Sequence, residues 1–147
     1  MILDINDVML GNLVYVEPII FYKDTIPVTR EFKITKNLRI IDRFHFCASR
    51  QRLAAVKINN TYLKLLQFTF LKNNIYEYNI KNKATIIIHK EGNNYILSIF
   101  TRSNKYKNII IKCNYVHILQ NIVKTCTGES LHVDRDAYDN LMHRCIH

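Results

Sequence analysis

The sequence predicts an α+β fold in which two pseudo-repeated modules, each a four-stranded antiparallel sheet followed by a helix, pack as one domain, with a further helix at the C-terminus. Three observations carry that expectation. Residues 54–67 (AAVKINNTYLKLLQ) recur, across a short gap at Asn60, as residues 109–120 (IIIKCNYVHILQ): Lys57 meets Lys112, Asn59 meets Asn114, Tyr62 meets Tyr115, and Leu66-Gln67 meets Leu119-Gln120. Segments upstream of each copy alternate apolar and polar side chains with the period of two that suits half-buried strands. Each copy then changes to the three-and-four spacing that gives a helix one apolar face. Phe46–Arg52 can be laid on Phe100–Tyr106, which extends the likeness upstream. The modules are expected at about residues 12–73 and 74–126 of a single domain covering 1–147.

Leu13–Tyr22 is rich in β-branched and aromatic residues and is predicted to be a strand; Pro18, having no N–H to give a ladder, places it at a sheet edge or at a bulge. Pro27 marks a turn. Phe32–Thr35 and Leu38–Phe46 are expected as a hairpin around Lys36-Asn37, and Leu53–Ile58 as the next strand. Tyr62–Leu71 fits both periods. Its counterpart decides for a helix, because Tyr115, Val116, Ile118, Leu119, Ile122 and Val123 share one helical face. Asn114 is expected to cap that helix by accepting from an unpaired N–H of its first turn, and Asn59–Thr61 to cap the earlier one. Ile75–Ile80, Thr85–Lys90, Tyr95–Thr101 and Tyr106–Cys113 are four further strands, with a hairpin turn at Gly92-Asn93-Asn94. A final helix is expected at about residues 133–146, capped by Asp134 and buried through Ala137, Tyr138, Leu141 and Met142.

Lys and Arg number 21 against 12 Asp and Glu, and their distribution matters more than the net +9. Residues 1–20 carry −3, residues 21–124 carry +14 and residues 125–147 carry −2, so the positive charge belongs to the duplicated region. A field of that sign attracts polyanions and makes nucleic acid the expected partner. The N-terminus lacks the basic-then-apolar order of a signal peptide, and no uncharged run is long enough to span a bilayer. The expectation is a soluble protein, not secreted, with no membrane partner. Cys47, Cys113, Cys126 and Cys145 form no CxxC pair, which favours free thiols in a reducing compartment, cytoplasmic or nuclear.

Four antiparallel strands and one amphipathic helix, twice in a basic chain, resemble the Whirly and PUR-alpha superfamily of single-stranded nucleic-acid-binding proteins. The nearest local likeness is the strand, polar cap and helix of Lys107-Asn108-Ile109-Ile110-Ile111-Lys112-Cys113-Asn114-Tyr115-Val116-His117-Ile118-Leu119, and the whole covers about residues 28–124. The resemblance implies a curved sheet that faces the nucleic acid, helices packed behind it, and two modules forming a unit. The acidic first strand and the C-terminal helix have no counterpart in that family, and the strands here lack the glycines common in PUR-alpha repeats.

The residue chemistry points the same way. On the strand from Tyr95, alternation sets Tyr95, Leu97 and Ile99 against Ile96, Ser98, Phe100 and Arg102; on the next, Ile109, Ile111 and Cys113 oppose Tyr106, Asn108, Ile110 and Lys112. Rings that stack on bases and cations that meet phosphates are what single-strand binding requires. The expected nucleic-acid-binding residues are Lys33, Phe44, Phe46, Arg50, Arg52, Lys57, Phe100, Arg102, Lys105, Tyr106, Lys107 and Lys112. The same register turns Arg43 and His45 toward the core side with Ile41, a costly placement unless they are paired or lie at an edge.

No catalytic residue, metal or cofactor is expected. Cys113, His117, Cys126 and His132 follow no common zinc spacing, and the chain has no P-loop, GxGxxG or HExxH and only three glycines. An accessory role in transcription or replication follows by analogy. The alternative is a structural or protein-interaction module, for dimerisation or scaffolding, whose Lys, Asn and Ile content reflects an AT-rich genome such as those of many insect viruses. A homodimer is compatible with either.

Overall fold

Two antiparallel sheets and three α-helices make up the described residues of the computed structural model, which are 1–18, 38–42, 51–102 and 108–146. The first sheet holds β1 (Ile2–Leu3), β2 (Leu13–Pro18), β3 (Leu38–Ile40) and β4 (Gln51–Ala55) in the order β1-β4-β2-β3. Helix α1 (Asn60–Leu65) follows. The second sheet is a meander of β5 (Thr69–Phe70), β6 (Ile75–Ile80), β7 (Ala84–Glu91), β8 (Asn94–Thr101) and β9 (Ile109–Lys112), each strand pairing with the next. Helices α2 (Val116–Thr127) and α3 (Arg135–Ile146) complete the chain.

The α+β class, the antiparallel sheets and the C-terminal helix follow the sequence pattern; a duplicated topology does not. Consecutive strands pair throughout the second sheet, whereas β4 inserts between β1 and β2 in the first, so the described strands of the two halves have different orders. β5, which falls in the expected first module, belongs to the second sheet. What the similar sequences do mark is a pair of strand-to-helix junctions that meet each other. Lys57 bridges Tyr115, the Ile58 N–H donates to the Asn114 carbonyl at 2.9 Å, and the Val116 N–H donates to the Val56 carbonyl at 2.9 Å.

Local chemistry explains most boundaries. Asn59 caps α1, its Oδ1 accepting from the Tyr62 N–H at 2.8 Å. The ambiguous Tyr62–Leu71 segment divides: the helix ends at Leu65, Gln67 takes a left-handed φ of 67°, and β5 starts two residues later. Asn114 does not cap α2. The N-cap is Tyr115, whose side chain makes no capping bond, while Asn114 Oδ1 accepts from the Tyr95 N–H at 2.9 Å and its amide donates to Asn94. Gly92, with φ of 59°, turns the two-residue β7–β8 hairpin that its neighbours predict. Pro18 ends β2 and does not mark an edge strand, because β2 lies between β3 and β4. Asp134 opens α3 as expected, Oδ1 accepting from the N–H groups of Asp136 and Ala137 at 3.1 and 3.2 Å. Of the hairpin expected around Lys36-Asn37, Leu38–Ile40 forms β3, while Phe32–Thr35 and the turn lie outside the described residues, as do Arg43 and His45.

The main core joins the two sheets. Leu13, Tyr15, Ala54 and Val56 of the first sheet region pack in one cluster with Leu63 and Leu66, with Ile86, Ile88, Leu97 and Ile99 of the second sheet, and with Val116, Leu119 and Val123 of α2. The Tyr15 and Tyr62 hydroxyls meet at 3.1 Å inside it. On α3, Ala137, Tyr138, Leu141 and Met142 cover its rim. A second cluster, Leu3, Val8, Val14, Val16, Ile41, Leu53 and Ala55, fills the opposite face of the first sheet. The first sheet therefore buries residues of both parities, while the second buries only one.

Candidate nucleic-acid interface

Among the described residues that difference leaves one face of the second sheet outside the core, and strand register defines it. Tyr95, Leu97 and Ile99 of β8 are buried, and their neighbours Ile96, Ser98 and Phe100 are not. Residues directly opposite in antiparallel strands share a face. One row across the outer face is therefore Ile75, His89, Ile96 and Lys112; the next is Glu77, Ile87, Ser98 and Ile110; a third is Asn79, Thr85 and Phe100. Each of these side chains is half-buried or exposed.

The alternation read from the sequence thus places Phe100, 39% exposed, and Lys112 on the same open face, four residues apart along the sheet or about 13 Å. Arg102, just past the end of β8, is also exposed; its N–H donates to the Lys83 carbonyl and fixes the chain as it leaves the sheet. Lys57 is exposed at the junction with Tyr115, outside this face. Arg52 lies in β4 opposite Glu17. The other expected residues, Lys33, Phe44, Phe46, Arg50, Lys105, Tyr106 and Lys107, fall outside the described residues. The first sheet, filled on both faces where it is described, offers no second surface of this kind.

Sequence reasoning set Ile96 and Ile110 on this face without counting them in the site, and gave no face to Ile75 and Ile87. Ile75, Ile87, Ile96 and Ile110 alternate between the first two rows from strand to strand, and Ile110 is 70% exposed. The strict alternation of β7 and β8 carried that signal, because residues opposite the buried set must face outward. Polar groups toward the β6 side are internally satisfied: Asn79 donates to Glu77 at 2.6 Å and accepts from the Thr85 hydroxyl at 2.9 Å. His89 Nδ1 lies 3.4 Å from Glu91. A groove at the β5–β6 edge is lined by Gln67, Thr69, Leu71, Glu77, Tyr78 and Asn79. Its one charged group is a carboxylate, so it does not suit phosphate. Arg102 and Lys112, the expected cations, belong to the β8–β9 side of the sheet.

The remaining buried polar groups serve the fold. Gln120 Oε1 accepts from the Leu13 N–H at 2.9 Å, and its amide donates to the Gly11 and Leu131 carbonyls at 2.9 and 3.2 Å. Cys113 is buried, and desolvation pushes its thiol up to about 11. His117 is 3% exposed, its Nδ1 has no hydrogen-bond partner, and burial lowers its pKa against a smaller opposite pull from Asp7. Among the described residues no three His, Cys, Asp or Glu side chains are placed to hold a metal ion, and no helix is long and apolar enough to cross a membrane. Comparison of the chain with family models, curated proteins and solved structures found no match.

Proposed function

We propose that the chain is a non-enzymatic nucleic-acid-binding protein that takes single-stranded DNA or RNA on the outer face of its five-stranded sheet. The observation that carries this reading is the joint exposure of Phe100, Arg102 and Lys112 at the β8–β9 end of a sheet whose opposite face is core. Phe100 supplies a ring for base stacking, Arg102 and Lys112 meet phosphates, and Ile96 and Ile110 give the sugar and base edges an apolar floor. The +14 charge of residues 21–124 supplies the long-range attraction. The antiparallel meander β5 to β9 followed by α2 has the strands-then-helix order that the Whirly and PUR-alpha resemblance implies for one module, with one strand more. An accessory role in transcription or replication rests on that resemblance.

Fluorescence anisotropy of a labelled 20-nucleotide single strand, titrated at about 50 and 200 mM salt, tests the reading. Binding at the lower salt that weakens steeply at the higher is expected, since each phosphate contact releases condensed counterions. Arg102→Ala with Lys112→Ala lowers the salt slope by about 1.4, the single-strand value for two contacts. Phe100→Ala weakens binding by about 1–3 kcal/mol without changing that slope. Absence of binding at low salt removes the proposal, and a double variant that binds like the parent removes this face as the site.

A further inference from the structure

β9 is the last strand in the order of the second sheet, and its outer edge is chemically unusual. The Cys113 N–H donates to the Tyr95 carbonyl at 2.9 Å, and bonded pairs alternate along an antiparallel ladder. Ile109 and Ile111 therefore bond to β8, while Asn108, Ile110 and Lys112 aim their N–H and C=O groups at the edge. Beyond Lys112 that edge is taken, because the Asn114 carbonyl accepts from the Ile58 N–H. Over residues 108–112 no strand lies against it among the described residues. Edges are ordinarily blunted by charge, proline or a bulge. Here the strand reads Ile-Ile-Ile-Lys, with Ile110 70% and Ile111 43% exposed.

We infer that this edge pairs antiparallel with β9 of a second copy of the chain, about a two-fold axis at Ile110. The incoming strand has to be apolar on both faces, because Ile110 stands on the outer face and Ile109 and Ile111 on the inner one. An acidic peptide finds only one cation on the strand. β9 itself meets the requirement and is complementary to itself: Ile110 faces its own copy, Ile109 faces Ile111 of the second chain, and Lys112 faces Asn108. The two Lys112 residues then stand about 14 Å apart along the strands, beyond the screening length of about 10 Å at 0.1 M salt. The pairing joins two five-stranded sheets into one of ten and leaves both outer faces on the same side. It does not depend on the nucleic-acid reading and is tested without nucleic acid. A five-residue edge is small beside the roughly 800 Å² per partner of a stable interface, so weak, concentration-dependent association is expected.

Sedimentation velocity of the full chain from about 2 to 200 μM is expected to show a monomer–dimer equilibrium, and Ile110→Lys is expected to remain monomeric throughout with an unchanged circular dichroism spectrum. Ile110→Cys, oxidised at high concentration, is expected to form a dimer whose peptide map joins residue 110 to residue 110, since directly bonded antiparallel pairs lie about 5.5 Å apart at Cα, within disulfide reach. A wild-type chain that stays monomeric at 200 μM overturns the pairing, as does an Ile110→Lys variant that still dimerises. An Ile111→Cys variant that cross-links 111 to 111 in place of the residue 110 bridge overturns the register.

Discussion

Replacing Gln120 by Leu tests how the N-terminal segment is held to α2. The Gln120 side chain is 5% exposed and makes three bonds of 2.9 to 3.2 Å: from the Leu13 N–H to its oxygen, and from its amide to the carbonyls of Gly11 and Leu131. Asn12 adds a longer contact at 3.4 Å. Leucine has nearly the same length and removes all of them. Leu13 is fully buried, so its N–H loses the acceptor it has in Gln120 without reaching water, a cost of about 1–3 kcal/mol. The buried Leu131 carbonyl adds a smaller penalty, and the exposed Gly11 carbonyl rehydrates. The expected total is about 3 kcal/mol, a large share of the roughly 5–15 kcal/mol that domains possess. The chain contains no tryptophan, so urea unfolding is followed by far-ultraviolet circular dichroism. At a slope of about 2 kcal/mol per molar, the midpoint falls by about 1.5 M. Asn121→Ala, which removes two partly exposed contacts, to Asn12 and to the Asp7 carbonyl, is expected to cost about 1 kcal/mol. A Gln120→Leu loss below about 0.5 kcal/mol refutes the assignment of the amide as the anchor.

Further outcomes follow from the other buried groups. His117 has a lowered folded pKa, so the unfolded chain binds more protons as pH falls below the ordinary value of 6.5, and stability declines from there until the folded value is passed. Each pH unit in that window removes at most about 1.4 kcal/mol, and His117→Leu, which keeps the volume and cannot take a proton, is expected to gain on the parent in urea midpoint between pH 7.5 and 5.5; a constant difference contradicts the assignment. With its thiol at about 11, Cys113 is ionised in only roughly one molecule in a thousand at pH 8. Iodoacetamide under native conditions is expected to leave the Cys113 peptide unlabelled and to modify it fully in urea; native labelling of Cys113 ahead of the half-buried Cys126 counts against its placement.

Legibility in the sequence followed the range of the interaction concerned. Alternation in β8 named its buried and exposed faces correctly, because a period of two needs no knowledge of what packs on the sheet. The caps at Asn59 and Asp134 were equally local. Strand order in the first sheet was not legible, since the insertion of β4 between β1 and β2 joins residues tens of positions apart. The apparent repeat misled for a related reason. Gln67 and Gln120 align in sequence, yet Gln67 sits exposed beyond the end of α1, donating to the His132 carbonyl, while Gln120 lies inside α2 and anchors the N-terminal segment. Likewise Asn59 caps a helix and Asn114 holds a strand end, because the second helix begins one residue later relative to its asparagine. Phe100, Ile110 and Lys112 were legible as members of one face; that the backbone edge beside Ile110 has no described strand against it required knowing that β9 ends the sheet order.

Photocross-linking of the chain to an oligonucleotide containing 5-iodouracil, with adducts mapped by peptide mass spectrometry at low salt, tests most directly whether the outer sheet face meets nucleic acid. Adducts on the peptides holding Phe100 and Ile110–Lys112, lost at high salt, are the predicted result. Adducts confined to α3 or to the β5–β6 edge, or none at all, contradict it.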